Sequence, residues 1–304
     1  MHIPARRRPD FEQARRYEYP THLREAIVSL PSAPGVYVFH GEEDALPLYI
    51  GKSVNLRSRV LSHLRNVDEA SLLRQTRRIS HIRTVGEMGA LLLEASLIKQ
   101  QQPLMNQRLR RLRQLCSLRI ADGQPEVVYS SDLNFATEPK LYGLFSSRHA
   151  ALEALRNLAD QHRLCYGALG LEKLKPGRAC FRAMLKQCDG VCRGDESEDA
   201  HRSRLFTSLE GLSVARWPYP GAIGLVERYR DDRQIHVIRN WCYLGSVSNV
   251  AQAGALDVRA AGFDADGYKI PCQPLLSGGA EIILLRAGKG ALSCTPWSMA
   301  TTSL

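Results

Sequence analysis

"PLYIGKSVNLRSRVLSHL", Pro47 to Leu64, decides the fold of the first third of the chain. "PLYI" is a short run of aromatic, apolar and branched residues, the composition of a strand, and Gly51 closes it. Leu56, Val60, Leu61 and Leu64 then recur at helical spacing and form one apolar stripe, with Ser53 placed to cap that helix. Arg57 and Arg59 lie off the stripe. Tyr49 and Lys52 at a strand end, followed at once by two arginines, are residue types suited to a phosphate group.

Working outward, "GVYVF" (from Gly35) and "PLYI" read as a hairpin joined through the polar "HGEEDAL". Before it, Thr21 is placed to cap a short helix, "HLREAIVSL", that Pro31 ends. After it, "ISHIRTV" reads as a third strand, and an apolar helix runs from about Gly86 to Gln102, where Pro103 stops it. Glu94 sits on the apolar face of that helix, with Ala90, Leu91, Leu97 and Ile98 as its helical neighbours. A carboxylate so placed needs a cation, either a basic side chain or a metal ion. Tyr37, Tyr49, Lys52, Arg59 and Glu94 together supply what metal-assisted phosphodiester cleavage requires: a proton acceptor, positive charge for the phosphorane and a metal ligand.

Charge agrees with a polyanionic partner. The net charge is +10, and residues 1–113 hold 19 Lys and Arg against 11 Asp and Glu, so most of the surplus lies there. The start, "MHIPARRRPDFEQARRYEYP", lacks the apolar segment of a secretory signal, and "GALLLEASLI" is too short for a span; no membrane and a cytoplasmic address are expected.

The expected organisation is a basic tail (1–20), a nuclease-like domain (21–113), a linker region with a cysteine cluster (114–215) and a β-rich C-terminal domain (216–304). The fold class is α+β: a small mixed sheet flanked by helices, then a cysteine-bearing α/β segment, then the β-rich domain. In the middle, "LCSLRIA", "EVVYSS" and "KLYGLF" read as strands, with Asp122-Gly123 as a turn. Ser147 is placed to cap one helix, and the acidic "GDESED" starts another.

Cys165, Cys180, Cys188 and Cys192 are spaced by fourteen, seven and three residues, which allows a zinc site, an iron–sulfur site or buried thiols. Cys116, Cys242, Cys272 and Cys294 are scattered singles. Trp217, Tyr219, Tyr229, Trp241 and Tyr243 near the end either stack on bases or pack a core.

Gly35-Val36-Tyr37, Tyr49-Ile50-Gly51, Arg59, Glu94 and Asn106 resemble the motif set of the GIY-YIG nucleases. In particular, "LPSAPGVYVF", "LYIGKSVNLRSRVLSHL" and "GALLLEASLIKQQQPLMN" are similar to the amino-terminal domain of the bacterial excision-repair nuclease UvrC, and in length the chain is similar to its short homologues. The resemblance implies that Glu94 holds one magnesium or manganese ion, Arg59 stabilises the transition-state phosphate, and Asn106 supports the site. It implies that Tyr49, with Gly51 and Lys52 beside it, helps activate the attacking water, while Tyr37 hydrogen-bonds within the site or is itself the base. His63 stands where many UvrC sequences carry tyrosine, and is grouped with Arg57 as a DNA contact; a proton relay or a packing role remains open for His63, and a solvated one for Arg57. The last three clustered cysteines resemble the segment where UvrC holds an iron–sulfur cluster. The implied substrate is damaged double-stranded DNA, cut once on the 3' side of the lesion in nucleotide excision repair, with a damage-bound UvrB-type helicase as partner and induction by DNA damage. UvrC's second nuclease domain and helix-hairpin-helix repeats find no counterpart here. A partner-independent GIY-YIG nuclease and a non-catalytic DNA-binding adaptor are the rival readings.

Overall fold

The computed structural model describes residues 20–42, 46–106, 115–175, 178–256 and 263–285. The basic tail before residue 20, the junction at 107–114, Cys294 and the end of the chain lie outside the described residues. The chain divides into two compact units, Met1–Arg111 with Glu227–Gln234, and Leu112–Val226 with Ile235–Leu304.

The first unit is built on a three-stranded sheet in the order β2-β1-β3, from β1 (Gly35–His40), β2 (Pro47–Ser53) and β3 (Arg78–Arg83). The expected mixed sheet is antiparallel throughout, β1 pairing with β2 on one side and with β3 on the other. Alternation along β1 sends Tyr37 and Phe39 to one face and Val36 and Val38 to the other. Tyr37 and Phe39 meet Leu56, Val60 and Leu64 of α2 (Leu56–Arg65), with Leu72 and Leu73 of α3 (Ala70–Gln75) and Ile27 of α1 (Arg24–Val28). Val36, Val38 and Ile50 meet Ile98, Leu93 and Leu97 of α4 (Glu87–Gln101).

Two helix starts differ from expectation. Asn55, not Ser53, caps α2, its Oδ1 accepting the Ser58 N–H at 3.0 Å, while Ser53 Oγ bonds the backbone of Asn55. Ahead of α1 the chain makes a turn of 3-10 helix at Thr21–Leu23, and the Thr21 side chain caps nothing there. α4 ends as expected before Pro103, with Gln102 in the left-handed region at φ 47°.

Two further antiparallel sheets follow along the chain, the second of them including residues 227–234 of the first unit in its β7-β8 hairpin. β4 (Cys116–Ala121) lies between β5 (Gln124–Tyr129) and β6 (Leu141–Phe145), and the β4-β5 turn at Asp122-Gly123 has both φ positive (49° and 81°), the form that suits a two-residue hairpin. Ser147 caps α5 (Arg148–Gln161), and Ser197 caps α7 (Glu198–Leu209), which follows the short α6 (Phe181–Met184) and begins with two acidic residues. The β-rich end is a four-stranded sheet in the order β10-β7-β8-β9, from β7 (Ala222–Tyr229), β8 (Asp232–Arg239), β9 (Cys242–Val247) and β10 (Glu281–Leu285), with α8 (Val250–Ala255) and α9 (Ala265–Leu276). Trp217, Tyr219, Trp241 and Tyr268 stack edge to face there, and both indole N–H groups donate to backbone carbonyls. Tyr243 bonds Ser246 at 2.6 Å, so these aromatics pack rather than present faces; Tyr229 is exposed.

Candidate active site

The sheet creates the site by leaving out side chains. Gly51 is the cross-strand partner of Tyr37, and a methyl group on it would lie 2.3 Å from the Tyr37 hydroxyl and 2.9 Å from the Tyr49 ring. Glycine there lets the Tyr37 ring lie over the neighbouring strand. At Gly35 a methyl would lie 2.3 Å from the Ile82 carbonyl oxygen, so that glycine lets β1 and β3 approach.

Tyr37 is the hub of the pocket. It is 1% exposed, and its hydroxyl lies 2.6 Å from His63 Nε2, with Arg59 and Tyr49 near enough to act on it electrostatically. The rings of Tyr37, Phe39, Tyr49 and His63 form one aromatic cluster with centroids 5.3 to 6.2 Å apart. Burial, and then the neighbouring Tyr49, push the Tyr37 hydroxyl well above the ordinary phenol range, against the pull of Arg59. Tyr49 is raised by burial and then by Glu94. Neither tyrosine is a ready phenolate near neutrality.

Glu94 is half-buried rather than enclosed, and its Oε1 accepts the Lys52 backbone N–H at 3.0 Å, which ties α4 to the end of β2. Its helical neighbours Leu93, Leu97 and Ile98 fill the core, but its own carboxylate reaches the strand end. The Lys52 ammonium pairs with Glu87 Oε1 at 2.5 Å, on the first turn of α4. Asn106 is bonded twice to one buried residue: its Oδ1 accepts the Ile50 N–H at 2.9 Å and its Nδ2 donates to the Ile50 carbonyl at 2.7 Å. The amides of Leu104 and Met105 donate to the Pro47 and Leu48 carbonyls, so the turn at 104–105 and Asn106 cover the outer edge of β2.

His63, grouped above with the DNA contacts, is 3% exposed with both ring nitrogens engaged by protein, Nε2 with Tyr37 and Nδ1 with Glu69. Burial lowers its pKa, although Glu69 opposes this. Arg57 is exposed on α2. Two partners escaped the sequence. Glu69 follows His63 by six residues, and a histidine beside an apolar helical stripe was the signal that such a partner exists. Glu227 belongs to this unit through residues 227–234, and its carboxylate accepts the Met88 and Gly89 N–H groups at 2.8 and 3.0 Å, satisfying the start of the helix that carries Glu94.

In the second unit the four expected cysteines do converge. Cys165 and Cys180 sulfurs are 3.5 Å apart, Cys180 and Cys188 3.7 Å, and Cys192 accepts the Cys180 N–H at 3.4 Å. Burial pushes the Cys165 thiol up to about 12. At Cys180 burial acts the same way, but donation from the Ala183 amide and the surrounding thiols outweighs it, so this sulfur is held below the ordinary thiol value. Cys165, Cys180 and Cys192 could ligate one metal ion together. Cys116 and Cys242 are buried singles.

An antiparallel sheet with two glycine-made gaps, a tyrosine pocket and a carboxylate-bearing helix defines a GIY-YIG endonuclease domain, and residues 33–107 match the family model described as the UvrC-like GIY-YIG domain. Residues 115–210 match that of the UvrC/Cho excinuclease middle domain, and residues 222–289 that of the excinuclease Cho C-terminal domain. The chain belongs to the Cho excinuclease family. It is 58% identical over 275 residues to the excinuclease cho of Escherichia coli strain K12 (90% of this chain, 93% of that one), and 59% identical over 278 residues to that of Salmonella typhi (91% and 95%). Among solved structures, the magnesium-bound GIY-YIG N-terminal endonuclease domain of UvrC from Thermotoga maritima is 32% identical, covering 28% of this chain and 97% of that one, with a TM-score of 0.26. Among the described residues no helix is long and apolar enough to cross a membrane.

Proposed function

We propose that this protein is a divalent-cation-dependent endonuclease of nucleotide excision repair that hydrolyses one phosphodiester on the 3' side of a lesion in double-stranded DNA. The observation that carries the reading is the convergence of Tyr37, Tyr49, Arg59 and His63 in one pocket, with Glu94 held at the adjoining strand end. Glu94 offers the hard oxygen that magnesium or manganese prefers, and a single carboxylate suits an ion that keeps most of its water. Such an ion would supply charge stabilisation at the phosphate and acidify water. Arg59, exposed at the pocket mouth, would meet the phosphate, and Tyr37 or Tyr49 would receive the proton of the attacking water. Lys52, paired with Glu87, would orient the strand end and contribute charge, and Asn106 would hold β2 in register. Arg57 and the other exposed arginines of this unit would contact the DNA backbone.

Recognition of the lesion is assigned to a UvrB-type helicase partner, with the work done in the cytoplasm and the protein made on DNA damage. The four cysteines are assigned to a thiolate-bound metal centre. Family resemblance favours iron–sulfur, whereas sulfurs 3.5 to 3.7 Å apart are near the edge of a tetrahedral zinc site with bonds of about 2.3 Å. Metal analysis and the visible spectrum of anaerobically prepared protein decide between them, and neither metal in it would refute the centre.

The test is an end-labelled duplex with one bulky adduct, incubated with magnesium, with and without the damage-loaded partner. A single 3'-side nick that needs adduct and partner, and that Glu94→Ala removes while DNA binding persists, is expected. Salt-dependent binding without breaks under any metal condition would refute the enzymatic reading, and cutting that ignores the adduct would refute the repair assignment.

A further inference from the structure

α4 carries Glu94, which accepts the Lys52 amide, and Glu87, which pairs with the Lys52 ammonium, so the position of one helix sets both groups at the end of β2. A helix begins with amides that nothing inside it can satisfy, and a serine, threonine, asparagine or aspartate commonly stands before it to accept them. α4 has no such residue: its N-cap is Gly86, which offers no side chain. The acceptor comes instead from Glu227 in β7, and both of its carboxylate oxygens are used, Oε1 by the Met88 N–H at 2.8 Å and Oε2 by the Gly89 N–H at 3.0 Å. The glycine admits it. Gly86 has φ −149°, a backbone form open to other residues, yet a methyl group there would lie 2.2 Å from Glu227 Oε1 and 2.5 Å from its Cδ. The same hairpin makes two further bonds just ahead of α4: Asp232 Oδ2 accepts from Arg83 Nη2 at 2.5 Å, and Gln234 Oε1 accepts the Val85 N–H at 3.4 Å. Residues 33–107, which match the nuclease family model, thus contain the uncapped helix, and residues 222–289, which match the Cho C-terminal domain, contain its cap.

We propose that the β7-β8 hairpin of the C-terminal domain completes the nuclease, with Glu227 as a positioning residue that supplies the cap α4 lacks and so holds Glu94 and the Lys52–Glu87 pair where the divalent cation and the phosphate are met. The inference rests on the reading of Glu94 as the carboxylate that takes the cation. The tip of the hairpin, residues 227–234, folds as part of the nuclease unit, while the strands that carry it continue into the other unit. Its carboxylate also puts negative charge at the positive end of a 15-residue helix. Without Glu227 the first turn of α4 loses two acceptors and frays. Glu87 lies in that turn, so fraying removes one of the two bonds that tie Lys52 to α4 and leaves the Glu94 bond to bear the strand end.

The test uses the full-length protein and reads three quantities: exchange of the Lys52 amide without metal, binding of Mn2+ by electron paramagnetic resonance, and DNA affinity. Glu227→Ala should speed Lys52 exchange and weaken Mn2+ binding by about fivefold each, the effect of a lost cap expressed as an equilibrium constant, with DNA affinity unchanged. Adding Gly86→Asp to Glu227→Ala gives α4 a cap of its own in the space the glutamate leaves, and should return both readings to within about twofold of the unmodified protein. A hairpin that merely packs against the nuclease would not be replaced in this way. If Glu227→Ala does not fold, Glu227→Gln, which keeps the volume and one accepting oxygen, carries the comparison with a smaller loss in the same direction. Unchanged Lys52 exchange and Mn2+ binding in the Glu227 variant, or a loss that Gly86→Asp leaves unrepaired, overturns the inference. Mn2+ binding that survives Glu94→Ala overturns the metal reading instead, and Lys52 exchange in the Glu227 variant still decides the cap.

Discussion

Substituting Gly51 by alanine tests the pocket at its narrowest point. The added methyl would sit 2.3 Å from Tyr37 Oη and 2.5 Å from its Cζ, where ordinary contact starts at 3.4 Å, so the ring end must retreat by about 1 Å. Tyr37 is 1% exposed and closed in by Phe39, Tyr49 and His63, so that retreat displaces the cluster or bends β2 away from β1. Overpacking of this kind costs about 1–3 kcal/mol. The hydroxyl also leaves its 2.6 Å contact with His63, and in the role proposed for Tyr37 a displacement of about 1 Å would cost about 100-fold in rate. Thermal melting should therefore show a modest loss with the protein still folded at assay temperature, and single-turnover incision a loss of about two orders of magnitude. Incision within twofold of the unmodified protein at an unchanged melting temperature would refute the claim that Gly51 is required as a gap for Tyr37.

Three further outcomes are expected. Asn106→Ala leaves both backbone groups of buried Ile50 without their side-chain partner and should cost about 1–3 kcal/mol in urea unfolding, with reduced incision following from the loosened strand. Glu227→Ala removes the carboxylate at the start of α4 and should destabilise the nuclease unit by about 0.5–2 kcal/mol, read as faster amide exchange at Met88 and Gly89. Burial lowers both His63 and His201 below the ordinary 6.5, so the unfolded chain binds more protons than the folded one just below that pH, and melting temperature should fall as pH drops from about 6.5. A melting temperature that rises over that interval would contradict the burial of neutral imidazoles.

The hairpin of β1 and β2, the stripe on α2 and the long α4 were legible because each rests on local periodicity and on punctuation by glycine and proline. The capping of α2 was misread by two residues, since Ser53 and Asn55 are both competent and only the backbone turn between them decides which one faces the helix. Glu94 was read as a core carboxylate because helical spacing gives a face and not a depth; its half-exposed position at the strand end comes from packing against β2. His63 was grouped with the DNA contacts with a relay or packing role left open, because the sequence shows only its place on α2, while the tyrosine cluster that encloses it is assembled from two strands. Glu227 was beyond reach: its partners, Met88 and Gly89, are well over a hundred residues earlier in the chain, and no local pattern encodes that meeting.

The turn and Asn106 that cover the edge of β2 have a consequence for the protein outside catalysis. β2 is the outer strand on one side of a three-stranded sheet, and "LYIG" is apolar enough to recruit a passing strand from another chain. Leu104 and Met105 occupy the Pro47 and Leu48 carbonyls, and Asn106 both backbone groups of Ile50. Asn106 thus covers part of an edge open to strand addition, and a variant lacking it should show part of its lost activity as aggregate in light scattering, a loss that an activity screen in cells would record as catalytic.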